Sequence, residues 1–165
     1  MKKTIASIVI AMLLALTLTS IALAAPVVVE KEGRSPFKGS MQAVEAYTVD
    51  FPTLVVDASG SGKATHLGKF TVSYHDIVNL LALSGSDSLR FVAANGDSLF
   101  AEGSGQATPT ATPNVDSIVE TFSITGGTGR FAGATGSFTV KRLLNVATGV
   151  TSGTFDGIIA LPQDE

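Results

Sequence analysis

The 165-residue chain has no cysteine. That excludes disulfides, thiolate metal sites and a cysteine-linked lipid anchor, so stability must come from packing and strand closure. Histidine is scarce: His66 and His75 stand alone, without the H-x-H or H-x-x-x-H spacing of a zinc site. No metal is expected, and both histidines read as exposed or hydrogen-bonded side chains. A G-x-S-x-G elbow for a serine nucleophile is missing, as is any N-x-[ST] glycosylation site. No segment carries a sustained helical period with caps.

What is present begins with a leader. Lys2 and Lys3 precede an uncharged run from Ile5 to Leu23, and Ala22-Leu23-Ala24 supplies the small-x-small pattern of a signal-peptidase site. Cleavage is expected after Ala24, because Pro26 at the first mature position would hinder the alternative cut. The rival is an uncleaved anchor, since the run is nearly long enough to span a bilayer; the A-x-A site favours cleavage. The expected destination is the periplasm or the exterior. Removing two of eleven basic residues leaves nine against fourteen acids, a net charge of −5. With no basic stripe, nucleic acid is not an expected partner.

The organisation expected is a signal peptide over 1–24, an irregular arm over 25–38 interrupted by Pro26, Gly33 and Pro36, and one domain over 39–165. There a period-2 alternation dominates, with turn residues at short intervals. Strands are expected near 41–49, 54–61, 68–79, 88–94, 98–107, 116–125, 137–145 and 150–159. Asn95-Gly96 marks a two-residue hairpin turn with positive φ at both positions, and Ala147–Gly149 closes another. The low-complexity run from Gly103 to Asn114 becomes a loop in its second half. His75–Gly85 is either one short helix or a ragged strand end. Eight strands without alternating helices predict an all-β, eight-stranded antiparallel closed barrel, with a β-sandwich as the alternative.

Two glycine motifs imitate nucleotide sites. Gly127-x-Gly129-x-x-Ala132 follows a strand, but the required helix is replaced by "GATGSFTV". "GSGKAT", from Gly60 to Thr65, carries Ala64 where a phosphate-binding loop needs Ser or Thr, and reads as a strand-to-strand turn. No nucleotide and no cofactor is expected.

The stretch "IVETFSITGGTGRFAGATGSFTVKRLL", Ile118 to Leu144, reads better as a hairpin closed by a glycine loop. Pairing Thr125 with Ser137 opposes Ile124 to Phe138, Phe122 to Val140, Glu120 to Arg142 and Ile118 to Leu144. All eight share one face, and the other face is mainly polar. The first face is therefore the inner one, and it sets one acid opposite one guanidinium among apolar pairs. Phe131 is expected to plug the barrel end.

Gly126, Gly127, Thr128, Gly129, Phe131 and Gly136 stand in the order of the glycine-rich signature of dirigent proteins and their structural relatives, the allene oxide cyclases, and this stretch resembles it. "GKATHLGKFTV", Gly62 to Val72, is similar to a stretch of small exported bacterial barrels of this type. The resemblance implies an allene oxide cyclase-like eight-stranded barrel with an apolar ligand inside, and a homo-oligomer, typically a trimer. After Phe131 the chain departs from the dirigent pattern, reading "AGATG", and no catalytic residue is carried over.

With no recognisable catalytic set, the leading function is non-enzymatic binding of a small apolar ligand or a partner. One alternative is a cyclase or isomerase steering a hydrophobic intermediate, which needs only a shaped cavity and one or two polar groups. Another is a structural barrel with a filled core. Candidate ligand-contacting residues are Glu120, Arg142, Tyr74 and Asp76. Tyr74 and Asp76 share the parity of Phe70 and Val72 and so reach the same interior, although Asp76 also fits a strand end or helix start.

Overall fold

The computed structural model describes residues 33–162. The expected leader and the first part of the expected arm lie outside these residues. Eight strands follow in order: β1 (Arg34–Asp50), β2 (Thr53–Ala64), β3 (Gly68–Asn79), β4 (Ser84–Ala93), β5 (Ser98–Pro109), β6 (Val115–Gly127), β7 (Thr135–Asn145) and β8 (Val150–Ala160). Each runs antiparallel to the next, and β8 pairs with β1 to close the barrel. Closure settles the choice against a sandwich and leaves no free sheet edge.

Alternation writes each strand's two faces. On β3, Phe70, Val72, Tyr74 and Asp76 are buried while Lys69, Thr71, Ser73 and His75 are exposed. One half of the interior is filled by Phe37, Phe70, Phe91, Phe122, Phe138 and Phe155. Their ring centroids approach to 4.9 Å for Phe70–Phe91, 5.0 Å for Phe37–Phe155 and 5.1 Å for Phe122–Phe138. Contacts at these spacings add about 0.5–1.5 kcal/mol per pair beyond burial.

Four of the rings fit because glycine stands opposite them. Phe155 faces Gly39, Phe70 faces Gly62, Phe122 faces Gly103 and Phe138 faces Gly157 across adjacent strands. A Cβ on Gly39 would stand 2.5 Å from the Phe155 ring, and one on Gly103 2.6 Å from that of Phe122. In-strand glycine here marks close approach rather than a turn. "GSGKA" is thus the end of β2, not the expected turn, because Gly60 makes room for Ala43 of β1 and Gly62 for Phe70 of β3.

Other boundaries also moved. β1 begins at Arg34, inside the stretch expected to be irregular, because Phe37 enters the core and pairing with β8 starts there. β4 starts at Ser84. No helix forms between His75 and Gly85: β3 runs to Asn79, whose side-chain oxygen accepts the Leu81 and Ala82 amides, and Leu83 turns the chain at φ +51°. At the β4–β5 turn only Gly96 takes positive φ (+90°), with its amide bonded to the Ala93 carbonyl, so the loop is longer than two residues.

The glycine cluster joins β6 to β7 through a three-residue 3-10 turn, Gly129–Phe131. Phe131 is fully buried and closes this end of the barrel with Leu67, Leu99 and Ile159, as expected. The β6–β7 register differs from the expected one by two residues. Ile124 faces Gly136, Phe122 faces Phe138, Glu120 faces Val140 and Ile118 faces Arg142. An even slip keeps every side chain on its face.

Candidate functional site

At the other end the barrel is open. A cavity of about 350 Å³ enters between the β1–β2, β3–β4, β5–β6 and β7–β8 turns. Its walls are apolar, among them Val49, Leu54, Val78, Leu83, Ile118 and Leu144. Its polar groups include Glu45, Asp76, Asp87, Glu120 and Arg142, all buried in a layer between the cavity and the phenylalanine-filled half.

Arg142, from β7, is the hub. Its Nε and Nη2 donate to Glu120 at 3.0 and 2.6 Å, and Nη1 donates to Glu45 and, at 3.1 Å, to Thr151. Gly153 on β8 stands opposite Arg142; a Cβ there would come 2.6 Å from the arginine Cβ, so the side chain folds inward where a larger neighbour would block it. The expected Glu120–Arg142 pair forms diagonally despite the two-residue slip, because both side chains are long. It is one part of a triad with Glu45. Tyr74 and Tyr47 donate to the Glu45 oxygens at 2.8 and 2.9 Å, and the guanidinium carbon lies 5.2 Å from the Tyr74 ring centroid. Burial opposes the charge on Arg142, but the Glu120 and Glu45 interactions hold its pKa above the ordinary value. Burial pushes the Tyr74 hydroxyl up as well.

All four candidates, Tyr74, Asp76, Glu120 and Arg142, therefore meet in one layer. Asp76 sits in mid-strand rather than at a helix start. Sequence reasoning missed Glu45 and Asp87. Their signal was parity alone: Glu45 alternates with Met41 and Ala43, and Asp87 with Leu89 and Phe91.

Asp76 and Asp87 face each other across β3 and β4. Asp76 Oδ1 and Asp87 Oδ2 are buried without a hydrogen-bond partner, and Asp76 Oδ2 lies 3.8 Å from Arg142 Nη2. Burial, then the neighbouring Asp87 and Glu120, push Asp76 up to about 9; burial and Glu120 push Asp87 up to about 6. At neutral pH Asp76 holds its proton.

A carboxyl whose folded pKa exceeds its unfolded value loses stability as pH rises from about 4 towards 9. Asp76→Asn removes this loss. Urea unfolding should show the variant gaining stability relative to wild type steadily as pH rises towards 8, with the difference vanishing near pH 4. A constant difference across that range would show that Asp76 does not titrate this way.

The histidines lie outside the barrel. His75 Nδ1 is 2.8 Å from Asp57 and His66 Nε2 is 2.9 Å from Ser35. Among the described residues no three His, Cys, Asp or Glu side chains converge as a metal ion requires.

No protein-family model and no curated protein matches the chain. Comparison with solved structures finds a pterocarpan synthase dirigent protein at TM-score 0.52 and 12% identity, covering 81% of this chain and 88% of that one. The chain has a dirigent-like barrel fold. The narrower likeness to allene oxide cyclases has no counterpart in this comparison.

Proposed function

We propose that the protein binds a small, mainly apolar molecule in the open half of its barrel and acts outside the cytoplasm. One observation carries the reading: the interior is filled at one end and leaves about 350 Å³ at the other, with apolar walls over a polar floor. Ligand sites have this form, apolar surface for affinity and a few fixed polar groups for orientation. The volume is at the small end of the usual range of about 300–1,000 Å³, which suits one compact molecule. A filled structural barrel would not leave this space.

The test is a titration with N-phenyl-1-naphthylamine, a neutral dye that brightens in apolar surroundings. Saturable binding is expected, weakened at least tenfold by Ala107→Trp, whose indole would occupy the cavity from β5. Dye binding that is unaffected by this substitution would place the apolar site elsewhere.

A cyclase or isomerase is the second reading, favoured by Asp76, a carboxylic acid that keeps its proton at neutral pH beside an apolar space. The two readings separate on the recovered molecule. A binder releases its ligand unchanged, while an enzyme releases a rearranged one and loses that turnover in Asp76→Asn.

A further inference from the structure

We infer that the molecule this cavity takes is an apolar cation, an alkyl- or arylalkylamine, with its ammonium seated between Asp76 and Asp87. The inference rests on reading the cavity as a binding site, and it follows from how the donors in the layer are distributed.

No arginine or tyrosine hydrogen bond reaches Asp76 or Asp87, and Arg142 Nη2 stays 3.8 Å from Asp76 Oδ2. Arg142 gives its hydrogen bonds to Glu120, Glu45 and Thr151, and both tyrosine hydroxyls go to Glu45. Glu45 and Glu120 are thereby satisfied. Asp76 and Asp87, at 4% and 7% exposure, line the cavity, and Asp76 Oδ1 and Asp87 Oδ2 have no hydrogen-bond partner. Buried polar atoms left without partners are rare, and a bound donor accounts for both of these.

The charge count points the same way. Among the described residues lining the cavity are the acids Glu45, Asp76, Asp87, Asp116 and Glu120, and the single base Arg142. An anionic ligand would meet this excess and find no free donor. A neutral apolar one would leave both orphan oxygens buried. A metal ion lacks a third converging ligand. An ammonium group brings three donors and one positive charge on a narrow stem, and Leu54, Val78 and Leu144 provide the wall for its hydrocarbon.

Without an ammonium the two carboxyls hold a proton where it would sit. Burial raises both carboxyls; Asp87 raises Asp76 further, whereas a hydrogen bond from Asp76 lowers Asp87, with Glu120 of β6 and Glu45 of β1 raising both and Arg142 of β7 opposing them. An arriving cation replaces that proton, so amine binding strengthens as pH rises and fades once both aspartates are protonated.

Octylamine, octanol and octanoate share a tail and differ in the head, and calorimetric titration of the full-length mature protein compares them. Near pH 8 octylamine should bind at least about tenfold tighter than octanol, as expected for a charge-assisted contact, with octanoate weakest. Near pH 5 the advantage of the amine should shrink to about twofold. The double variant Asp76→Asn/Asp87→Asn, checked for folding by circular dichroism, should show the same small advantage near pH 8. Octanol binding as tightly as octylamine near pH 8, or a preference that survives in the double variant, overturns the ammonium assignment while leaving the cavity as a binding site. If neither octanol nor octylamine binds, the reading of the cavity itself fails, and the assignment with it. The pH comparison on wild-type protein decides the assignment should the variant not fold.

Discussion

Replacing Arg142 with leucine should destabilise the barrel by about 3–5 kcal/mol in urea, the usual cost of leaving buried charge without its partner. Here the loss falls on two acids at once. Glu120 loses all the hydrogen bonds it receives, and Glu45 keeps only the tyrosine hydroxyls. For the same reason the double variant Glu120→Leu/Arg142→Leu should recover only part of the loss, since Glu45 remains buried without a counter-charge. Converting Glu45, Glu120 and Arg142 together to Leu or Met should return stability to within about 2 kcal/mol of wild type, because apolar side chains avoid the desolvation that offsets a buried ion pair. Full recovery in the double variant would mean that Glu45 is not part of the cluster. Small effects for every variant would mean that water reaches the layer.

Gly157→Val should be nearly as damaging, at about 3 kcal/mol or more. Gly157 faces Phe138, and a Cβ would lie 2.5 Å from the Phe138 Cα and 2.6 Å from its Cβ. Backbone on the neighbouring strand cannot yield, and Phe138 is held by Phe37, Phe91, Phe122 and Phe155. Overpacking of this kind costs about 1–3 kcal/mol where a side chain can shift, and more where backbone is struck. Gly96→Ala is the control. That turn has open space around its Cβ position and a φ of +90°, so only backbone strain of about 1 kcal/mol is expected. Equal melting temperatures for the two variants would contradict the tight fit of glycine against ring.

The contrast between these glycines explains what the sequence made legible. Parity was readable: a residue's place in an alternating run sets its face, so Tyr74, Asp76, Glu120 and Arg142 were traced to one interior. Register was not. The expected hairpin paired Thr125 with Ser137, but the β6–β7 ladder ends at Ile124 opposite Gly136, while Gly126 and Gly127 pair with β5. A bulge near Phe100 and Ala101 further offsets β6 against β5.

Glycine misled for a physical reason. The same residue supplies a turn at Gly96 and a vacancy for a ring at Gly62, and only the partner strand tells which. Glu45 and Asp87 were missed because a lone acid in an alternating run looks the same whether it is solvated or buried. Their burial depends on Arg142 and on the closure of eight strands. The open cavity depends on that closure too, through side chains from every strand but β8, and no local pattern contains it.

The central claim is that the interior is divided, with packed rings at the glycine-cluster end and a ligand space at the other. Methyl-detected NMR during titration with octylamine tests it most directly, because valine, leucine and isoleucine mark both halves. The account predicts saturable shifts at Leu54, Val78, Ile118 and Leu144, with Val140 and Ile159 at the filled end unmoved. Shifts confined to the outward Val44 and Val150, or spread equally over both halves, would contradict it.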